Sequence, residues 1–93
     1  MKVSDYINSF LKKNDIKFVF EMSGGMIAHI LDSIYQKNEL KIVSMKHEQS
    51  AAFAADAVGR LTGKPGVAMA TSGPGATNLV TGIGSSYFDS SPT

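Results

Sequence analysis

Cysteine is absent from the 93 residues, which excludes disulfides and thiolate metal sites. Neither sign of charge is in excess. Nine Lys and Arg against eight Asp and Glu leave a net charge of +1, too balanced for an electrostatic nucleic-acid binder. No apolar run approaches the ~20 residues that a membrane span requires. The opening, Met1-Lys2-Val3-Ser4-Asp5, has no charged region followed by an apolar block, so no signal peptide is expected. The expectation is a soluble, cytoplasmic chain with no nucleic-acid or membrane partner. Hydrophobic residues, at 43%, are too many for a disordered chain. The length suits one small domain or a piece of a larger one.

Composition shifts midway. Up to Lys46, charged and large apolar residues are mixed, whereas more than half of residues 47–93 are Gly, Ala, Ser or Thr. Small residues allow helices and ligands to approach the backbone closely. Helix and strand signals alternate along the chain. Ser4 is suited to cap a helix to about Asn14, with Tyr6, Ile7, Phe10 and Leu11 on one face. Residues 16–20 read as a strand, and Ile27, Ile30, Leu31, Ile34 and Tyr35 follow helical spacing. Residues 40–45 read as a second strand, 47–61 as an Ala-rich helix ended by Thr62-Gly63, and 66–71 as a third strand. A turn at Ser72-Gly73-Pro74-Gly75 leads to a helix over 76–88. This alternation predicts an α/β fold, a parallel sheet with helices on both faces. Three strands make an incomplete sheet of that kind, so residues 1–93 are expected to be part of a domain truncated at its C-terminus. A free strand edge and little apolar burial predict an isolated chain that folds weakly or self-associates.

Chemistry-bearing residues fall at the strand ends. His47-Glu48-Gln49 opens a helix directly after a strand. An acid in a first helical turn is ordinarily explained by the helix macrodipole. Glu48 also lies at the C-terminal end of a parallel strand, where open α/β sheets bind ligands. Among Ala and Gly its carboxyl is expected to be poorly solvated, with a raised pKa suited to a proton donor. Thr71-Ser72-Gly73-Pro74-Gly75-Ala76-Thr77-Asn78 forms a second junction and Ser23-Gly24-Gly25 a third. A Gly-rich turn entering a helix can present N–H groups to an anion. Neither the phosphate-loop nor the dinucleotide spacing is present. Convergence of three such junctions on one sheet edge is a stronger signal than any one of them. Neither His29 nor His47 has metal-ligand spacing around it, so no metal site is expected on the chain. Met22, Met26, Met45 and Met69 are read as core filler.

Taken together, three stretches resemble the start of the pyrimidine-binding domain of thiamine-diphosphate-dependent enzymes of the acetolactate synthase-like group. They are Lys46-His47-Glu48-Gln49, Gly59-Arg60-Leu61-Thr62-Gly63-Lys64-Pro65-Gly66-Val67, and Thr71 through Ile83. The resemblance implies that Glu48 hydrogen-bonds the aminopyrimidine N1′, favouring the imino tautomer whose 4′ nitrogen removes the thiazolium C2 proton. It implies a 2-oxo acid decarboxylase or carboligase. It also implies a cofactor pocket of Ser23, Gly24, Glu48, Thr71, Gly73, Pro74 and Asn78, with Gln49 near the substrate channel. Where the family usually carries Gly-x-Pro-Gly, this chain has Glu21-Met22-Ser23-Gly24, so the substrate is open. The family's Gly-Asp-Gly motif for diphosphate and Mg²⁺ does not occur here. That site is expected from a C-terminal domain or a second subunit, in a homo-oligomer when full-length. FAD binding, found in some members, stays open. The 93 residues alone are expected to be inactive, and a non-catalytic stand-alone half-domain or truncated product acting only through a partner chain is the alternative.

Overall fold

Runs of β-branched and aromatic residues alternate with helical periodicity, and the chain folds accordingly. The computed structural model describes residues 2–93. In chain order they form α1 (Val3–Lys13), β1 (Phe18–Glu21), α2 (Ala28–Lys37), β2 (Lys41–Ser44), α3 (Glu48–Thr62), β3 (Ala68–Met69), α4 (Pro74–Thr77) and α5 (Val80–Phe88). A 3₁₀ turn over Gly25–Ile27 leads into α2.

The three strands lie in the order β2-β1-β3. Both pairings are parallel, from Phe18↔Lys41 to Glu21↔Ser44 on one side and Phe20↔Ala68, Glu21↔Met69 on the other. The expected parallel α/β architecture is therefore present. Successive side chains of β1 point to opposite faces. Val19 is fully buried and packs with Ile16, Ile34 and Leu40, with Leu11 and Ile30 beside them. Phe18, on the other face, shares a cleft with Val58 and Thr62 of α3. Small residues bring α3 against α5: a Cβ on Gly82 would collide with that of Ala52. Ala51, Ala52 and Ala55 of α3 are buried, and Ala55 lies against Gly66.

Several local expectations are corrected. Ser4 does not cap α1, because the helix starts at Val3, two residues earlier than such a cap requires, with Lys2 at the cap position and no side-chain cap. Its buried face is centred on Asn8, while Tyr6 and Phe10 are more than half exposed. Tyr35 and Met26 are exposed too, so neither is core. The helix expected over 76–88 is two pieces. Pro74 occupies a first-turn position of α4, where its missing N–H costs nothing. The Leu79 N–H then bonds the Ala76 carbonyl, a tighter i→i−3 contact that interrupts the α-helical ladder. The third strand is ladder-paired only at Ala68–Met69, shorter than the 66–71 expected. The stop of α3 is as expected, with Gly63 at φ 73° bonding the Gly59 carbonyl.

Candidate functional site

A parallel sheet carries all its strand C-termini on one edge, so Glu21, Ser44 and Met69 end together. The loops that leave this edge hold the residues singled out by sequence. Glu48 is the first residue of α3. The turn before it is fixed by His47, whose Nδ1 accepts the Gln49 N–H at 3.0 Å. Histidine as an N-cap was not foreseen, since Ser, Thr, Asp and Asn are the usual signals.

Thirty residues later in the sequence, Asn78 returns to the same place. Its Nδ2 donates to Glu48 Oε1 at 3.2 Å. Between them lies a cradle of small residues. A Cβ added to Gly75 would sit 2.9 Å from Thr71 Cγ2 and 3.5 Å from Glu48 Oε2. A Cβ on Gly24 would come within 2.8 Å of Thr71 Oγ1. The preceding Gly73 has φ 73° and ψ −133°, a conformation that side chains resist, and this turns the chain into α4. Pro74 then accepts the Thr77 hydroxyl and the Asn78 N–H on its carbonyl, at 3.1 and 2.9 Å.

Of the predicted residues, Gly24, Glu48, Thr71 and Asn78 are thus brought together, with Gly73 and Pro74 forming the turn between Thr71 and Asn78. Ser23 is adjacent but donates away from Glu48, to Glu21 Oε2 at 2.8 Å. Gln49 is half-buried, and the contact it makes to its neighbours here is its N–H on His47.

The electrostatics differ from expectation. Glu48 is half-buried, and its own backbone amide and the Asn78 side chain hold its carboxyl below the usual 4.5, outweighing partial desolvation. Open to water on one side, it is an ionised acceptor rather than the raised-pKa donor anticipated. Glu21 is the acid that sequence reasoning missed. It is 2% exposed, with Ser23 on Oε2 and the Ser44 hydroxyl on Oε1. The available signal was an acid ending an apolar strand with Ser two positions on. No group of three His, Asp or Glu side chains placed to hold a metal occurs among the described residues. A cleft of about 660 Å³ lies between α1 and α2 among Asp5, His29 and Ser33. None of its lining residues is among the groups that converge at the strand-end edge, where we place the site.

A glutamate at a strand end, bonded by an asparagine beside glycines packed on a threonine, offers a polar anchor where open α/β sheets bind ligands. The sequence matches the family described as "Thiamine pyrophosphate enzyme, N-terminal TPP binding domain" over residues 1–93, and the chain belongs to that family. Among its relatives, the acetolactate synthase of Arthrospira platensis is 49% identical over 85 residues, covering 88% of this chain and 15% of the relative. The acetolactate synthase isozyme 1 large subunit of Escherichia coli (strain K12) is 43% identical over 89 residues, 96% of this chain and 16% of the relative. A 2-hydroxyacyl-CoA lyase 2 from Xenopus laevis is 42% identical over 88 residues, 95% and 13% respectively. The chain therefore spans about one-seventh of the length of the relatives it matches. It is an N-terminal thiamine pyrophosphate-binding domain segment similar to that of acetolactate synthase large subunits.

Proposed function

We propose that this chain supplies the pyrimidine-binding side of the cofactor site in a thiamine-diphosphate-dependent 2-oxo acid decarboxylase or carboligase. The observation that carries this reading is the Glu48–Asn78 contact across the Gly24-Thr71-Gly75 cradle at the strand-end edge. The absence of Cβ atoms at Gly24 and Gly75 lets both backbones close directly on Thr71 beside Glu48, since a Cβ at either position would come within 3 Å of that side chain.

When bound, the cofactor supplies the electron sink that allows a 2-oxo acid to lose carbon dioxide and its acyl unit to add to an acceptor. The chain's own residues bind and orient. Glu48 shares a proton with the ring nitrogen N1′, and Asn78 holds the carboxylate's other oxygen so that it cannot swing away. Thr71 and Gly24 would line the ring's site, Gly73 and Pro74 set the turn, Ser23 would border the pocket and Gln49 would lie toward the substrate. Glu48 gains proton-donor character once water is displaced, because desolvation raises a carboxyl pKa. The diphosphate and its Mg²⁺ are held by a C-terminal domain or a second subunit of a cytoplasmic homo-oligomer.

Glu48→Gln in the full-length protein keeps the size and the Asn78 bond while removing the titrating group. It is expected to lower kcat by about 10²–10⁴-fold with the thermal midpoint nearly unchanged. Steady-state kinetics checks this, and an unchanged kcat overturns the role given to Glu48.

A further inference from the structure

Glu21 closes the central strand with a carboxylate that is 2% exposed. Burying a carboxylate is costly unless its oxygens are bonded. Here each oxygen takes one hydroxyl, Ser23 on Oε2 at 2.8 Å and Ser44 on Oε1. Among the described residues no Lys, Arg or His pairs with it. Backbone bonds converge on the same point. The Met45 N–H donates to the Glu21 carbonyl at 2.8 Å, and the Met22 N–H to the Met69 carbonyl at 3.2 Å. The carboxylate therefore sits where the ends of all three strands are joined.

From there a continuous line of contacts reaches the candidate site. Ser23 is followed by Gly24, which lies against Thr71, and Thr71 lies against Gly75 beside Glu48 Oε2. We propose that Glu21 is a positioning residue for cofactor binding. By holding Ser23 and Ser44 it fixes the Ser23-Gly24 turn against Thr71, and so sets the width of the pocket below Glu48. The inference rests on the function proposed above. Without the carboxylate both hydroxyls lose their acceptor, and the turn has to be ordered when the ligand binds, which weakens affinity.

The test titrates thiamine diphosphate into the full-length protein by equilibrium dialysis at fixed Mg²⁺, and records the near-ultraviolet dichroism of the bound ring. Glu21→Ala is expected to weaken binding about tenfold and to alter the dichroism. Glu21→Gln, of equal length and still able to accept a hydroxyl, is expected to restore affinity to within about threefold of wild type. An alanine variant that melts lower but binds with wild-type affinity and an unaltered dichroic signal has lost only structural support, and this overturns the inference. If Glu21→Ala does not fold, Ser23→Ala decides. Binding weakened about threefold or more upholds the proposal, and wild-type affinity defeats it. Wild-type protein that binds no thiamine diphosphate overturns the proposed function and this inference with it. Wild-type binding shared by every variant overturns the inference alone.

Discussion

At the scale of single residues, Glu48 is governed by what surrounds its carboxyl. Its amide and Asn78 stabilise the charged form, and water on the open side does the same. Covering it reverses that balance. In the cofactor-free full-length protein, Glu48 is expected to titrate below its usual 4.5, and in the loaded protein above it. Carbon-13 NMR of the side-chain carboxyl reads both values, and an identical titration in the two states would defeat the desolvation argument. Glu48 was legible in the sequence because a junction of strand and helix places it, whatever the tertiary packing. Its bond to Asn78 was not, since it spans thirty positions and exists only once α4 has folded over the strand edge. Glu21 was less legible still. In a sequence, an acid after Phe18-Val19-Phe20 marks a strand's end, and only the fold brings Ser44 over it.

At the scale of elements, the least legible feature was the break between α4 and α5. The helical spacing of residues 76–88 runs through it, and the interruption falls where Asn78 turns toward Glu48. A network unseen in the sequence ties α5 to α3. Asp56, 6% exposed, accepts the Arg60 Nε at 2.8 Å and the Ser86 hydroxyl at 2.9 Å. Arg60 continues to Asp89 at 2.7 Å, and the Ser91 hydroxyl bonds the Asp56 carbonyl. Buried polar groups left without their partners are destabilising. Asp56→Asn removes the charge facing Arg60 and sets an amide against it. The thermal midpoint is expected to fall by about 5 °C. Calorimetry checks this, and a shift below about 1 °C would mean that small-residue packing alone holds the two helices.

At the scale of the whole molecule, the carboxylates act together. Asp5 is held below its usual 3.8 by the Ser33 hydroxyl, Asp15 by Lys64, and Asp56 by Ser91, Arg60 and Ser86. Glu48 is lowered from 4.5. A carboxyl with a lower pKa in the folded state adds stability above its unfolded pKa, and this is lost as pH falls through the folded value. Stability is therefore expected to be level near neutrality and to decline below about pH 4.5. Urea midpoints measured between about pH 7 and pH 3 test this, and a flat profile would contradict it. Asp15 is exposed and screened, so its share is small, and the buried Asp56 weighs most. The parallel α/β architecture itself was legible, since period and punctuation agree along the chain. The extent of β3 was not, because pairing beyond Met69 depends on neighbours rather than on local preference.

Gly24 lies in the loop after β1 and Gly75 in α4, yet both close on the side chain of Thr71. The gap between the turn at Gly24 and α4 is thus a single threonine wide, and Thr71 serves as its shim. Sequence drift in either segment can change what the pocket displays, but its calibre is inherited through position 71. A line of descent that needed room for a bulkier ligand would have to thin that spacer before remodelling anything around it.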